Sequence, residues 1–399
     1  MYSIALAVAA PSLVAEEQQV LLQPAPLVSL YQAFALVPDP RSRHGLRYDL
    51  PYLLTCLVAA LLCNCNSTEA VAQWCQDHHL LLRVCLGPRD FATPTGSLYR
   101  RLLPRLDAQA IEVVLAAWVQ SSRLQGDEEA VALDGKTLRG AGTAAQPAPH
   151  LLAFCTHQSQ ETLLQVRVSE KTNEIPVAKA VLPCLPTTPR VYTADALHTH
   201  AAFMQVAHDL HGFSLLTVKG NQPILFADLH LAFSDPATSL LPCDPPLIER
   251  RRGRIEERSI RVTTDLNDYL RPHWPLVQQV AQLTRTVTVK RTGTRTQEIV
   301  YLITDLPPTL ASPRRLLELN RGHWGIENRL HYVRDVSFGE DRSRLRSGQA
   351  PQVLAALRNL VITLIHRQGS CHITASRRHF AAFPSEALHL LLPRRSPQQ

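Results

Sequence analysis

Three carboxylates stand where the sequence can place chemistry. Asp134 closes the short apolar run AVALDG (130–135) and is followed by KTLRG after the Gly. Asp195 sits in the same way in RVYTADAL (190–197), and Glu327 lies inside RGHWGIENRLHYVRD (321–335). In an open α/β sheet, ligands sit outside strand ends, although a strand-end Asp also serves as a turn former or helix cap. Carboxylates from separated segments suit a hard divalent cation such as Mg²⁺, which takes oxygen ligands and keeps several waters. Two such ions about 4 Å apart can activate a nucleophile and stabilise a leaving oxygen at a phosphodiester. Lys136, Arg139 and Lys219 are placed to hold phosphates beside them.

Around Glu327 the histidines matter too. On a helix, His323, Glu327 and His331 fall at i, i+4 and i+8 and share a face, with Arg334 close by and Trp324 alongside. That pattern fits a partly buried polar site, and it fits a solvated helix with incidental histidines. A zinc site made of His, Glu and His lacks the compact HExxH spacing.

The elements that must position these residues alternate. Residues 45–125 have apolar positions at helical spacing, as in LPYLLTCLVAALL and SLYRRLLPRLDAQAIEVVLAAWVQ, with breaks at Pro94 and Pro104. SRLQGDEEA (122–130) marks a boundary. Strands are then expected at 130–135, 150–157, 162–170, 190–197 and 213–221. Helices are expected at 174–185 and at 199–212, the second closed by Gly212. Residues 222–300 read as a mostly β insertion, rich in Thr, Val and Ile. SPRRLLELNRGHWGIENRLHYVRDVSF (312–338) returns to helix, with Ser312 as N-cap and Pro313 at the first helical position. A last amphipathic helix covers 349–369.

With 399 residues, 45% hydrophobic and 19% charged, the chain is an ordinary globular one of two or three domains. Its longest nearly uncharged apolar run, Leu50 to Cys63, spans 14 residues, short of the roughly 20 a membrane helix needs. No Lys or Arg precedes the apolar start of MYSIALAVAAPSLVAEE, so it is not read as a secretory signal. Nine scattered cysteines without a CxxC pair read as reduced thiols in a cytoplasmic protein. The net charge of +7 is unevenly spread. Residues 1–125 carry 9 basic and 9 acidic residues, 249–295 carry 11 and 5, and 312–399 carry 14 and 6. A positive field on the C-terminal half points to an anionic polymer, nucleic acid first. Arg251, Arg252 and Arg254 are the densest part of it, with Glu249, Glu256 and Glu257 near enough in sequence to pair with them.

VALDGKTLRGA (131–141), TADALHTH (193–200), LLTVKGNQP (215–223), GRIEER (253–258) and HWGIENRLHYVRDVSFGEDRSR (323–344), in this order, resemble the DDE transposases of bacterial insertion sequences. The likeness is to the ISAs-type group related to H-repeat-associated proteins. DPRSRHGLRYDLPYLL (39–54) is similar to the region that precedes the catalytic core in that group. The resemblance implies an α/β fold: an RNase H-like core at 126–221 and 301–370 and a β-rich insertion at 222–300. An α-helical N-terminal domain at 1–125 would precede the core, and a tail at 371–399 would come after it. It implies that Asp134, Asp195 and Glu327 are both the catalytic residues and the ligands of a Mg²⁺ pair, with Mn²⁺ as substitute. It implies contacts to double-stranded DNA from Lys136, Arg139, Lys219, Asn221, Arg251, Arg252, Arg254, Arg321, His323, Trp324, His331 and Arg334. The expected activity is cleavage at insertion-sequence ends and strand transfer into target DNA, by a homodimer on the bacterial nucleoid. A nuclease of the same fold that does not join, and a silent DNA-binding remnant, are the alternatives. Related groups carry a Tyr–Arg–Glu–Lys signature around the Glu; here His323 takes the place of its Arg and Arg334 that of its Lys. The neutral N-terminal region is expected to read the terminal repeats through helices or to act as a scaffold.

Overall fold

The structure, a computed structural model, describes residues 29–42, 44, 46–87, 92–123, 130–142, 147–169, 174–185, 190–235, 245–251 and 253–392. In chain order the helices and strands before the midpoint are α1 (Leu30–Phe34), α2 (Leu50–Leu62), α3 (Thr68–Asp77), α4 (His79–Leu86), α5 (Gly96–Leu102), α6 (Ala108–Ser121), β1 (Val131–Thr137), β2 (His150–Thr156), β3 (Thr162–Val168), α7 (Glu174–Val181) and β4 (Val191–Ala194). After it come α8 (Ala201–Asp209), β5 (Phe213–Val218), α9 (Pro223–Ser234), β6 (Leu247–Arg251), β7 (Arg254–Thr263), α10 (Asn267–Leu270), β8 (Gln279–Val289), β9 (Arg295–Thr304), α11 (Pro313–His323), α12 (Tyr332–Ser337), α13 (Ala350–Arg367), α14 (Ile373–Ala382) and α15 (Pro384–His389). The chain forms two compact units, one of 126–134 and 187–325, the other of 1–125, 135–186 and 326–399.

In the first of these, the opening of β1 runs parallel to β4, and β4 runs parallel to β5. From β5 the sheet continues through β9, β8, β7 and β6, all antiparallel. The β-rich stretch therefore extends the core strands: Leu215 to Val218 of β5 pair with Tyr301 to Thr304 of β9. It also opens on a helix, α9, before its strands begin. Helix α11 begins as its sequence indicates: the Ser312 hydroxyl accepts from the Arg315 amide, and Pro313 needs no donor there. It packs on β4, β5 and β7 and buries Leu316, Leu317 and Leu319 with Leu215, Ile260 and Leu302. Each such side chain contributes about 1.5–3 kcal/mol of burial. Helix α8 stops one residue earlier than its Gly suggests, since His211 takes the left-handed conformation (φ +59°). Gly212 is required for space instead: a Cβ there would lie 2.9 Å from the Tyr192 ring.

In the other unit, α2 and α13 are buried on nearly every side. Helix α13 is thus a core helix and not an amphipathic one; its polar Arg358, Asn359 and Thr363 are buried as well. Helix α2 is covered by α13, α14 and α15. The Arg377 Nε donates to the Leu61 carbonyl (2.9 Å), and Cys63 Sγ donates to that of Phe380 (3.2 Å). The N-terminal helices therefore share one core with the C-terminal ones, and residues 373–389 are helices of that core and not a tail. The reason is the apolarity of α2 all around, which no single partner helix can cover. The described cysteines are all free thiols, and no described helix is long and apolar enough to cross a membrane.

Candidate active site

The strand register sets two carboxylates side by side. Leu133 of β1 is level with Ala194 of β4, so Asp134 and Asp195 are the next residues along two adjacent parallel strands. Neighbouring strands lie about 4.8 Å apart. Asp195 ends its strand as expected, and its carboxylate accepts from the Leu197 amide (3.0 Å), capping a short turn. Asp134 does not end its strand: β1 continues through Gly135 and Lys136 to Thr137. The half-buried Asp134 and the exposed Asp195 have a buried neighbour in His323, whose Nδ1 lies 3.3 Å from the Thr193 hydroxyl. Burial pushes the His323 pKa down, against the upward pull of Asp134 and Asp195. The ring is neutral near pH 7.

The strand also positions the residues beyond Asp134. Side chains two apart on a strand share a face, so Lys136 projects to the same side as Asp134. Its ammonium makes an ion pair with Asp335 (2.6 Å). On the other face, Gly135 leaves room for a His150–Glu174 pair (2.6 Å), whose ring also meets the Thr137 hydroxyl (2.8 Å). A Cβ at Gly135 would lie 2.7 Å from His150 Nε2 and would overlap the Glu174 carboxylate. Sequence reasoning misses this support; the Gly directly after Asp134 is the available signal.

Glu327 lies in a π-helical turn, Ile326–His331. Such wide turns are uncommon and often mark functional sites. The turn brings His331 Nδ1 to 3.2 Å from Glu327 Oε2. That hydrogen bond, opposed by burial and aided by the charges of His331 and Lys136, holds the Glu327 carboxyl below its ordinary range. Glu327 is therefore an exposed, fully ionised carboxylate.

Several expected DNA contacts have other duties. Arg334 is completely buried: its guanidinium meets Glu340 (2.8–3.1 Å), Gln165 (2.9 Å) and Asn359 (3.3 Å). Arg358 takes the other side of Glu340 (2.9 Å). Burial raises the Glu340 carboxyl, but the two guanidiniums outweigh it and hold it below its usual range. Arg334 is thus a core residue and is corrected from a DNA contact to a structural one. His323 and His331 are also buried, the first beside Asp134 and Asp195 and the second on Glu327. Arg321 is paired with Glu249, and the Asn221 amide donates to the Ala196 carbonyl, tying the segment after β5 to the turn after Asp195. Lys219, Arg139, Arg251 and Arg254 are exposed, and the Trp324 indole is 55% exposed with its edge toward His323. Arg251 and Arg254 face each other across the β6–β7 hairpin, whose Gly253 has φ +74°. Arg252 lies outside the described residues. Glu249 and Glu256 are taken up by Arg258, Arg285 and Arg321, so they do not neutralise Arg251 and Arg254.

Residues 125–364 match a family model described as "Transposase DDE domain", and residues 31–119 match one described as "DDE_Tnp_1-associated". The chain is 25% identical to "Putative transposase YncI" of Escherichia coli O157:H7, over 84% of its own length and 87% of the relative's. With "H repeat-associated putative transposase YhhI" of Escherichia coli K12 it shares 22% identity over 85% and 90%. An "Uncharacterized protein in dhlA 3'region" of Xanthobacter autotrophicus is 30% identical over 61% of this chain and 83% of that one. Among solved structures, a piggyBac transposase synaptic complex with hairpin DNA aligns at 10% identity and a TM-score of 0.43, over 97% of this chain and 84% of the other.

Proposed function

Since the chain belongs to the family of transposases with a DDE domain, we propose that it cuts DNA at the ends of an insertion sequence and joins the freed 3′ ends to target DNA. Asp134, Asp195 and Glu327 are its catalytic carboxylates on this reading. The observation that carries it is the register that sets Asp134 and Asp195 on adjacent parallel strands. Glu327 is assigned to them by sequence, from its place four residues past His323 in HWGIENRLHYVRD (323–335).

The donor set is all oxygen and anionic, which fits Mg²⁺ or Mn²⁺ and does not favour a softer ion. A bound pair of such ions would supply activation of water or a 3′-hydroxyl and charge stabilisation at phosphorus. The protein's own part is positional. The Asp195 cap and the Asn221 tie fix the turn after β4, and the His331 bond fixes Glu327 in its ionised form. Lys219, Arg139, Arg251 and Arg254 attract the phosphate backbone and give no sequence information directly. The core is read as RNase H-like, extended by β6 to β8, and the active species as a homodimer holding two ends on the nucleoid.

A plasmid carrying the chain's own flanking ends tests this. Nicking or double-strand cleavage is expected with Mg²⁺ or Mn²⁺, and little with Ca²⁺, whose looser coordination holds reacting groups less well. Joined products in the same reaction distinguish a transposase from a nuclease. Full cleavage in excess chelator would remove the metal reading.

A further inference from the structure

The helical unit holds a cleft of about 760 Å³ that none of the preceding chemistry uses. That volume lies within the roughly 300–1,000 Å³ of ordinary ligand pockets. Its apolar lining includes the half-buried Ala70 and Leu345 and the side chain of Leu354, with Leu57, Leu61, Leu103 and Phe338 buried behind them. Its rim is cationic: Arg100, Arg342 and Arg344 line it with a single acidic residue, Glu69. Arg100 is already paired with Glu69. The exposed guanidiniums of Arg342 and Arg344 have no hydrogen bond or ion pair among the described residues.

The loop that carries the two arginines is held firmly. It leaves α12 through Gly339 (φ +62°), and the Arg342 and Ser343 amides close onto the carbonyls of Gly339 (3.0 Å) and Glu340 (3.0 Å). Glu340 itself is anchored by the buried Arg334 and Arg358. At the far end, the Gln349 amide donates to the Pro104 carbonyl (3.1 Å). A buried ion-pair network thus fixes the base of an arm that carries two exposed cations. The cost of ordering that arm on binding is already met in the fold.

An apolar lining together with two unpaired guanidiniums suits a ligand with an apolar part and an anionic part. We propose that this cleft is a second DNA site that seats one nucleotide of a single strand, with its phosphate on Arg342 and Arg344 and its base against the apolar lining. The inference rests on the reading of the chain as a transposase that handles DNA. A cleft of about 760 Å³ has room for a nucleotide and not for a duplex. It also gives the charge-neutral N-terminal region a role: that region supplies much of the lining, while the basic C-terminal segment supplies the cations.

Fluorescence anisotropy with labelled dT12, across 50–200 mM salt, tests it. Each lost phosphate contact flattens log K against log salt by about 0.7 for a single strand. The pair Arg342→Ala/Arg344→Ala should therefore flatten the slope by about 1.4, while the exposed control pair Arg83→Ala/Arg378→Ala should not. Arg342→Lys/Arg344→Lys should keep most of the slope. An abasic strand of equal length should bind wild type about fivefold or more weakly than dT12, through lost base contact. That gap should vanish in the alanine pair. An unchanged slope in a variant with wild-type circular dichroism, or equal binding of abasic and dT12 strands, overturns the cleft proposal and leaves the transposase reading intact. Failure of wild type to bind any DNA, single or double stranded, overturns that reading and the cleft with it.

Discussion

Replacing Arg334 by Ala should unfold more than it disarms. The guanidinium is fully buried and spends its donors on Glu340, Gln165 and Asn359. Removing it leaves the buried Glu340 carboxylate with Arg358 alone and strips the Gln165 and Asn359 oxygens of a donor. Breaking a buried pair from one side costs about 3–5 kcal/mol. That is a large share of a domain's total stability of roughly 5–15 kcal/mol. Arg334→Lys keeps a charge but loses the planar fork, so an intermediate loss of about 1–3 kcal/mol is expected. Urea melts monitored by circular dichroism at pH 7 should rank the proteins wild type, Lys, Ala. DNA affinity of whatever remains folded should keep the wild-type salt slope. A wild-type melting midpoint for Arg334→Ala, with a salt slope on duplex DNA shallower by about 0.9, would make Arg334 a phosphate contact and refute the burial argument.

Three other changes have expected outcomes. Burial pushes the Glu112 carboxyl up from 4.5 to about 8, so the folded chain keeps a proton that the unfolded chain releases. Its contribution is complete below about pH 4.5 and is lost as pH rises toward 8, at up to about 1.4 kcal/mol per unit. Glu112→Gln should flatten this part of the stability profile between pH 5 and 8; parallel profiles would contradict it. Gly135→Ala should slow DNA cleavage with the fold retained, because the new methyl displaces the His150–Glu174 pair behind β1. Adding Glu174→Ala should recover part of the rate, and a wild-type rate for Gly135→Ala alone would show that this packing does not matter. Arg251→Ala with Arg254→Ala should flatten the duplex salt slope by about 1.8, equally for specific and unrelated sequences; an unchanged slope moves the DNA path away from the β6–β7 hairpin.

The legible part of the sequence is local. Apolar runs ending in Asp locate β1 and β4, and Ser312–Pro313 locates the start of α11, because each signal lies within a few residues. The length of β1 beyond Asp134 is not legible, since Gly135 and Lys136 are of types depleted in strands. The π turn at Glu327 is hidden for a similar reason: its residues fit an ordinary helix equally well. Arg334 and Arg358 look like surface charge, because nothing in their neighbourhood shows that Glu340 and Gln165 will bury with them. The same blindness to long-range packing separates residues 1–125 from the C-terminal helices that complete their core.

The central claim is that three carboxylates act as one site, although 193 residues separate Asp134 from Glu327. Single-turnover cleavage of an end-bearing duplex in Mg²⁺ measures it, using Asp134→Asn, Asp195→Asn, Glu327→Gln and the triple variant, each checked for wild-type circular dichroism and DNA affinity. Residues that work as a unit are strongly non-additive. Each single change should therefore reduce cleavage to the same residual level as the triple. A single variant that cleaves at the wild-type rate, or losses that multiply independently across the three, would contradict it.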